Sequence, residues 1–127
     1  MFRALALSWL AADAGKTVAE LTSSFAGWDI IYLEEKGVPA AAAFMRGTEI
    51  HFVAAPEWRR RLIRRDNVRT FLAPLLERAG GMLTTRVLHG AAGPDQFVRR
   101  MQFVWTWADE NFNYFALTRV PFQRSPA

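Results

Sequence analysis

Apolar and polar positions alternate between two periods along this chain of 127 residues. Near the start, Leu5, Trp9 and Ala12 recur at helical spacing, which predicts a helix over Phe2–Ala12. A break centred on Gly15 covers Asp13–Lys16. Thr17, with Glu20 three residues on, has the form of a capping box, in which each side chain serves the other residue's backbone N–H; a second helix should run from there to about Phe25. The period then drops to two. Trp28–Glu34 reads as a strand and Glu35-Lys36-Gly37 as a hairpin turn. Val38–Arg46 reads as a second strand, with Pro39 suited only to its start, and Thr48–Ala54 as a third with clean alternation. Short turns between them predict an antiparallel meander.

Helical spacing returns at Pro56, where a missing N–H costs nothing. Leu62, Phe71, Leu72, Leu75 and Leu76 predict one long helix ending at Gly80-Gly81, with Arg61, Arg64, Arg65 and Arg69 on other faces and Pro74 interrupting the last turns. Met82–Leu88 is a fourth expected strand, Gly90–Gly93 a loop and Pro94–Met101 a short helix. Gln102–Trp107 and Phe112–Val120 form a final hairpin across Ala108–Asn111, and Pro121–Ala127 is irregular. No repeat or linker divides the chain, so one α/β domain is expected over residues 1–127.

Composition narrows the function classes. With 51% hydrophobic and 13% aromatic residues the chain can bury a core, which excludes disorder. Met1–Ala14 loosely imitates a secretory signal, but an amphipathic first helix describes it better. No apolar run approaches the roughly 20 residues of a membrane helix. Without cysteine there is no disulfide or thiolate chemistry. His51 and His89 lack ligand spacing, so no metal site is expected. Gly15-Lys16-Thr17 imitates part of a phosphate-binding loop, yet Leu10 stands where that loop requires glycine and no strand precedes it.

The net charge is +4, and of 16 basic residues only Lys16 and Lys36 are lysines. Arginine suits bidentate contact with phosphate or carboxylate, so an acidic partner fits: a nucleotide, an acidic protein face, or nucleic acid held through Arg59–Arg69. Aromatic residues crowd the C-terminal hairpin: Phe103, Trp105, Trp107, Phe112, Tyr114, Phe115 and Phe122. They fall on both strand faces, more than one core face needs, which points to a protein–protein surface.

The order of elements from Trp28 to Val120 resembles the GNAT N-acetyltransferase fold. That resemblance implies an α/β (α+β) domain with a mixed central sheet: N-terminal helices, a three-strand antiparallel meander, a long basic helix, a strand, a short helix and a C-terminal hairpin. The family's turn before the long helix reads roughly R/Q-x-x-G-x-G/A, and its backbone N–H groups hold the pyrophosphate of acetyl-CoA. Here Val53 and Pro56 resemble the lead-in, and Trp58, Arg59, Arg60, Arg61, Leu62 and Ile63 follow, with arginines and Leu62 where the glycines fall. Val53 and Trp58–Ile63 are thus the cofactor-binding positions the resemblance implies. Glu49 and His51, at i and i+2 on the third strand, share a face and are the candidate general bases. A second family signature offers a tyrosine that protonates the departing thiolate, then Gly-Phe. Here Phe103 matches, Gln102 replaces the glycine, and Phe97 or Val98 stands in the tyrosine's place, where neither can donate a proton.

Two functions follow from the resemblance. One is a catalytically degenerate GNAT-like domain with no cofactor, serving as a structural component beside other protein subunits. In this it is similar to GNAT-like internal virion proteins of phages, located in a virion or the cytoplasm and not in a membrane. The other is a divergent acetyl-CoA-dependent N-acetyltransferase, with Glu49 or His51 as base and Arg59–Arg65 as its phosphate site.

Overall fold

The computed structural model describes residues 6–11, 16–62 and 64–122, with the side chain of Arg59 excepted. The beginning of the expected first helix, the break around Gly15, Ile63 and the last five residues lie outside the described residues. Helix α1 is described over 6–11, α2 is Val18–Ser24, and strands β1 Asp29–Glu35, β2 Val38–Arg46 and β3 Glu49–Ala54 follow. After a 3-10 turn at Pro56–Trp58 come α3 Arg59–Leu62, α4 Arg65–Arg78, β4 Leu83–Leu88, α5 Ala92–Arg100, β5 Val104–Ala108 and β6 Phe112–Leu117. The strands form a six-stranded mixed sheet in the order β1-β2-β3-β4-β6-β5.

The chain divides into two compact units. The first holds the described residues up to Arg46 together with Ile50–Leu62. Its second helix starts as its sequence dictates: Glu20 N–H donates to Thr17 Oγ1 at 3.2 Å and Thr17 N–H to Glu20 Oε1 at 3.4 Å. Lys36 and Gly37 both adopt positive φ, 53° and 78°, the backbone that a tight β1–β2 hairpin requires. Pro39 lies beside a register shift at Leu33/Glu34, where a residue without an N–H costs the ladder least. From Pro39 to Met45, β2 is buried on both faces, so its alanines act as small contacts within the core rather than as helix formers. Ala6, Leu7, Ala11 and Leu21 of α1 and α2 pack with Ala42, Phe44 and Val53, flanked by Phe25, Trp28, Ile30 and Tyr32.

The second unit holds Gly47–Glu49 and the described residues after Leu62. Here Glu49 pairs in parallel with Thr84, Thr84 N–H donates to Thr48 O at 2.7 Å, and β4-β6-β5 continues antiparallel. On α4, Val68, Phe71, Leu72, Leu75 and Leu76 are buried at i, i+3, i+4, i+7 spacing. Pro74 sits inside this helix on its exposed side. The expected single long helix is interrupted: Arg64 is extended (φ −66°, ψ 139°), so α4 starts afresh at Arg65. Helix α5 begins earlier than expected, because Gly93 and Pro94 fall in its first turn, where proline is tolerated. Among the described residues no helix is long and apolar enough to cross a membrane.

Candidate functional site

The stretch from Val53 to Leu62 lies in the first unit. Val53, Ala54 and Ala55 are buried, and Ala55 N–H continues the ladder to Ala40 O at 2.9 Å. Trp58 N–H then closes a tight turn on Ala55 O at 2.8 Å. The Trp58 ring is buried, and its indole N–H donates to the carboxylate of Glu35 at the end of β1. Arg61 Nη1 donates to the same carboxylate oxygen at 3.2 Å. Leu62 is fully buried. Arg60 is exposed and has no partner among the described residues. Backbone at Arg59 is helical, while its side chain and Ile63 lie outside the described residues.

Past Arg64, in the second unit, Asp66 occupies the first turn of α4 and pairs with Arg69 at 2.7 Å. A carboxylate there satisfies the positive end of the helix dipole from within the chain. Arg69 also donates to Phe122 O at 3.3 Å, and Arg65 lies over the Phe122 ring at 5.4 Å.

Glu49 and His51 occupy different surroundings. His51 is half-buried, with its ring 5.6 Å from Phe25 and 5.4 Å from Trp28 in tilted and edge-on contacts. Such packing holds an imidazole as part of an aromatic cluster. Glu49, at the start of β3, lies 3.9 Å from Arg86 on β4. The guanidinium of Arg86 also stands over Phe112 at 4.5 Å.

The second sequence signature falls at the end of α5. Val98 and Phe103 are buried, and Phe97 is half-buried. Gln102 has φ 73°, Gln102 N–H donates to Arg99 O at 3.0 Å, and Phe103 N–H to Val98 O at 3.1 Å. Those two bonds make a Schellman cap, with Gln102 at the left-handed position that glycine fills most easily. The backbone shape that a Gly-Phe pair serves is therefore kept, with a strained glutamine in it.

Sequence reasoning passed over one cluster, at the β5–β6 turn. Asp109 Oδ1 accepts the N–H groups of Asn111 and Phe112 at 2.9 and 2.7 Å, and Oδ2 accepts the Tyr114 hydroxyl at 2.6 Å. His89 straps the same turn from just past β4: its Nε2 donates to Asp109 O at 2.7 Å and its backbone N–H to Asn111 O at 3.0 Å. The Tyr114 hydroxyl and these two N–H groups hold the Asp109 carboxyl below its ordinary range, and the carboxylate raises the phenol in turn. Tyr114 and Trp107 stack with centroids 4.3 Å apart and planes 4° from parallel. The signal available in the sequence was the Asp-x-Asn-Phe turn, since aspartate at a turn's first position bonds the N–H groups that follow. Among the described residues no group of three or more metal-ligating side chains converges.

No protein-family model matches this chain, and no curated protein is significantly similar to it. Solved structures do resemble it. The ribosomal-protein-S18-alanine N-acetyltransferase of Escherichia coli superposes with a TM-score of 0.53 at 17% identity, covering 84% of this chain and 78% of that one. A putative acetyltransferase from Salmonella typhimurium, determined with its cofactor acetyl-CoA, gives 0.50 at 15% identity over 87% of this chain and 75% of that one. A GNAT superfamily phosphinothricin acetyltransferase from Sinorhizobium meliloti, in complex with acetyl-CoA, gives 0.50 at 14% identity, covering 80% and 69%. At these identities the likeness speaks for architecture alone: the chain has the fold of the GNAT acetyltransferases.

Proposed function

We propose that this is an acetyltransferase-like domain that has given up the family's chemistry and works as an interaction part of a larger assembly. One observation carries the reading. Where the resemblance expects bare backbone around a pyrophosphate, Leu62 is buried in packing, and Trp58 and Arg61 are both committed to Glu35. A glycine turn leaves N–H groups open to phosphate because nothing projects past them; a buried leucine spends that position on the core. Two further features support it. Phe97 and Val98 supply no proton donor for a thiolate, and His51 is packed between aromatic rings. A virion, with other protein subunits as partners, is one assembly that suits the sequence resemblance; nucleic acid contact through Arg59–Arg69 is a lesser reading.

The experiment is acetyl-CoA binding to the full chain by calorimetry, with Arg60→Glu as control. The expected result is no heat beyond dilution in either protein. Micromolar binding that is lost in Arg60→Glu would overturn the reading and restore a divergent N-acetyltransferase, with Val53 and Trp58–Ile63 at the cofactor and Glu49 or His51 as base.

A further inference from the structure

We propose that the β5–β6 hairpin is a docking surface for an arginine-bearing segment of a partner protein, with Trp107 as the stacking platform and the Asp109–Glu110 turn as the carboxylate partner. The inference rests on the reading of this domain as an interaction part, and names the chemistry of what it meets.

Strand β5 is exposed along its whole length. Val104 is 67% exposed, Trp105 45% and Trp107 54%, so among the described residues a large part of this apolar surface is left uncovered. Edge strands are normally protected by charge or proline, and β5 carries neither. A register shift between Trp105 and Trp107 interrupts the ladder at Thr106, whose hydroxyl bonds Tyr114 O at 3.0 Å. A bulge of this kind works against adding a further strand, so side chains rather than backbone present the binding surface.

Those side chains are held in place before any partner arrives. One face of the Trp107 ring lies against Tyr114, while more than half of the residue stays exposed. Tyr114 is anchored by its hydroxyl to Asp109, and Asp109 by two backbone N–H groups. A chain of direct contacts thus runs from the indole to an ionised carboxylate. Glu110, next in the turn, is exposed and makes no ion pair among the described residues. An exposed indole beside carboxylates suits a planar cation, which stacks on the ring while its N–H groups reach the oxygens. The protein already uses this chemistry nearby, with Arg86 over Phe112 at 4.5 Å. Asp109 and Glu110 repel a phosphate here, and Arg86, the neighbouring cation, is already faced by the Phe112 ring and by Glu49 at 3.9 Å. A net charge of +4 also means that a cationic partner is repelled by the chain at large, so attraction must be local.

The test titrates the full chain with a hexa-arginine peptide at low salt, following the indole N–H resonances by NMR. The expected result is saturable binding that shifts Trp107. It should be weakened about fivefold by Trp107→Ala, as loss of a cation–aromatic contact implies. Glu110→Lys, at an exposed turn position, should weaken it at least as much, and hexa-lysine should bind less tightly than hexa-arginine. Both variants must keep the parent's far-ultraviolet spectrum. Absence of binding, or binding indifferent to both substitutions, overturns the proposal. So would an oligothymidylate that shifts Trp107 in the peptide's place, or self-association of the chain that Trp107→Ala abolishes. Acetyl-CoA calorimetry on the same protein reads the underlying functional assignment separately, so the failure of one is distinguishable from the failure of the other.

Discussion

Glu35 ties the turn after β3 back to the end of β1. Its carboxylate takes the indole N–H of Trp58 and one N–H of Arg61. Trp58 is only 9% exposed, so replacing Glu35 by alanine strands a polar hydrogen inside packing. A hydrogen bond to a charged group contributes about 1.5–3 kcal/mol, and an unsatisfied buried donor costs about the same. The ion pair adds little, because Arg61 and Glu35 side chains are 53% and 41% exposed and pairs this open are worth about 0–1 kcal/mol. Glu35→Ala should therefore destabilise the protein by about 2 kcal/mol, with most of the loss belonging to Trp58. In a domain of this size that lowers Tm by about 8 °C. Glu35→Gln keeps an acceptor and should cost less than half as much, while Arg61→Ala should fall within about 0.5 kcal/mol of the parent. Urea unfolding of the single variants and of Glu35→Ala with Trp58→Phe closes a double-mutant cycle, expected to show a coupling above about 1 kcal/mol. If Arg61→Ala costs as much as Glu35→Ala, the ion pair holds the segment, and if the coupling vanishes, the indole is not tied to Glu35 in solution.

Two other outcomes test the structure away from that turn. Gln102→Gly should stabilise the protein by about 1 kcal/mol, since leaving the left-handed strain gains about 1–2 kcal/mol and the added freedom of the unfolded chain returns about half of it; an unchanged or lower urea midpoint would show that the glutamine side chain compensates. Asp109→Asn should destabilise at neutral pH and progressively less in acid. The carboxyl is depressed in the folded state, so its contribution is present above the unfolded value near 4 and is lost as pH falls through the folded one. A gap between the two proteins that does not narrow between about pH 5 and pH 2 would separate the turn's stability from this carboxylate.

Local rules carried most of the secondary structure. The Thr17–Glu20 box, the Lys36-Gly37 turn and the leucine spacing of α4 are each decided by residues a few positions apart, and the sequence shows all of them, whereas the clean alternation expected of β3 gives way to burial of both Val53 and Ala54. The element order also sufficed for the fold, because three hairpin-joined strands, a helix, a strand, a short helix and a hairpin leave few ways to cover one sheet. What the chain alone left open depended on distant partners. A run of apolar and basic residues from Trp58 to Leu72 has helical period throughout, and nothing in it announces the extended Arg64. Glu35 and Trp58 are 23 positions apart, so that their carboxylate and indole meet is a matter of how β1 and the turn after β3 are brought together. His51 and Glu49, equivalent by parity, differ because one lies among aromatic rings and the other opposite Arg86. Along the chain itself, the periods, the Thr17–Glu20 cap, the arginines and Leu62 after Trp58 and the apolar Phe97-Val98 pair are all plain. Only packing settled that Arg61 and Arg86 meet Glu35 and Glu49 and which aromatic residues stay exposed, because these contacts join residues that are neighbours in space and not along the chain.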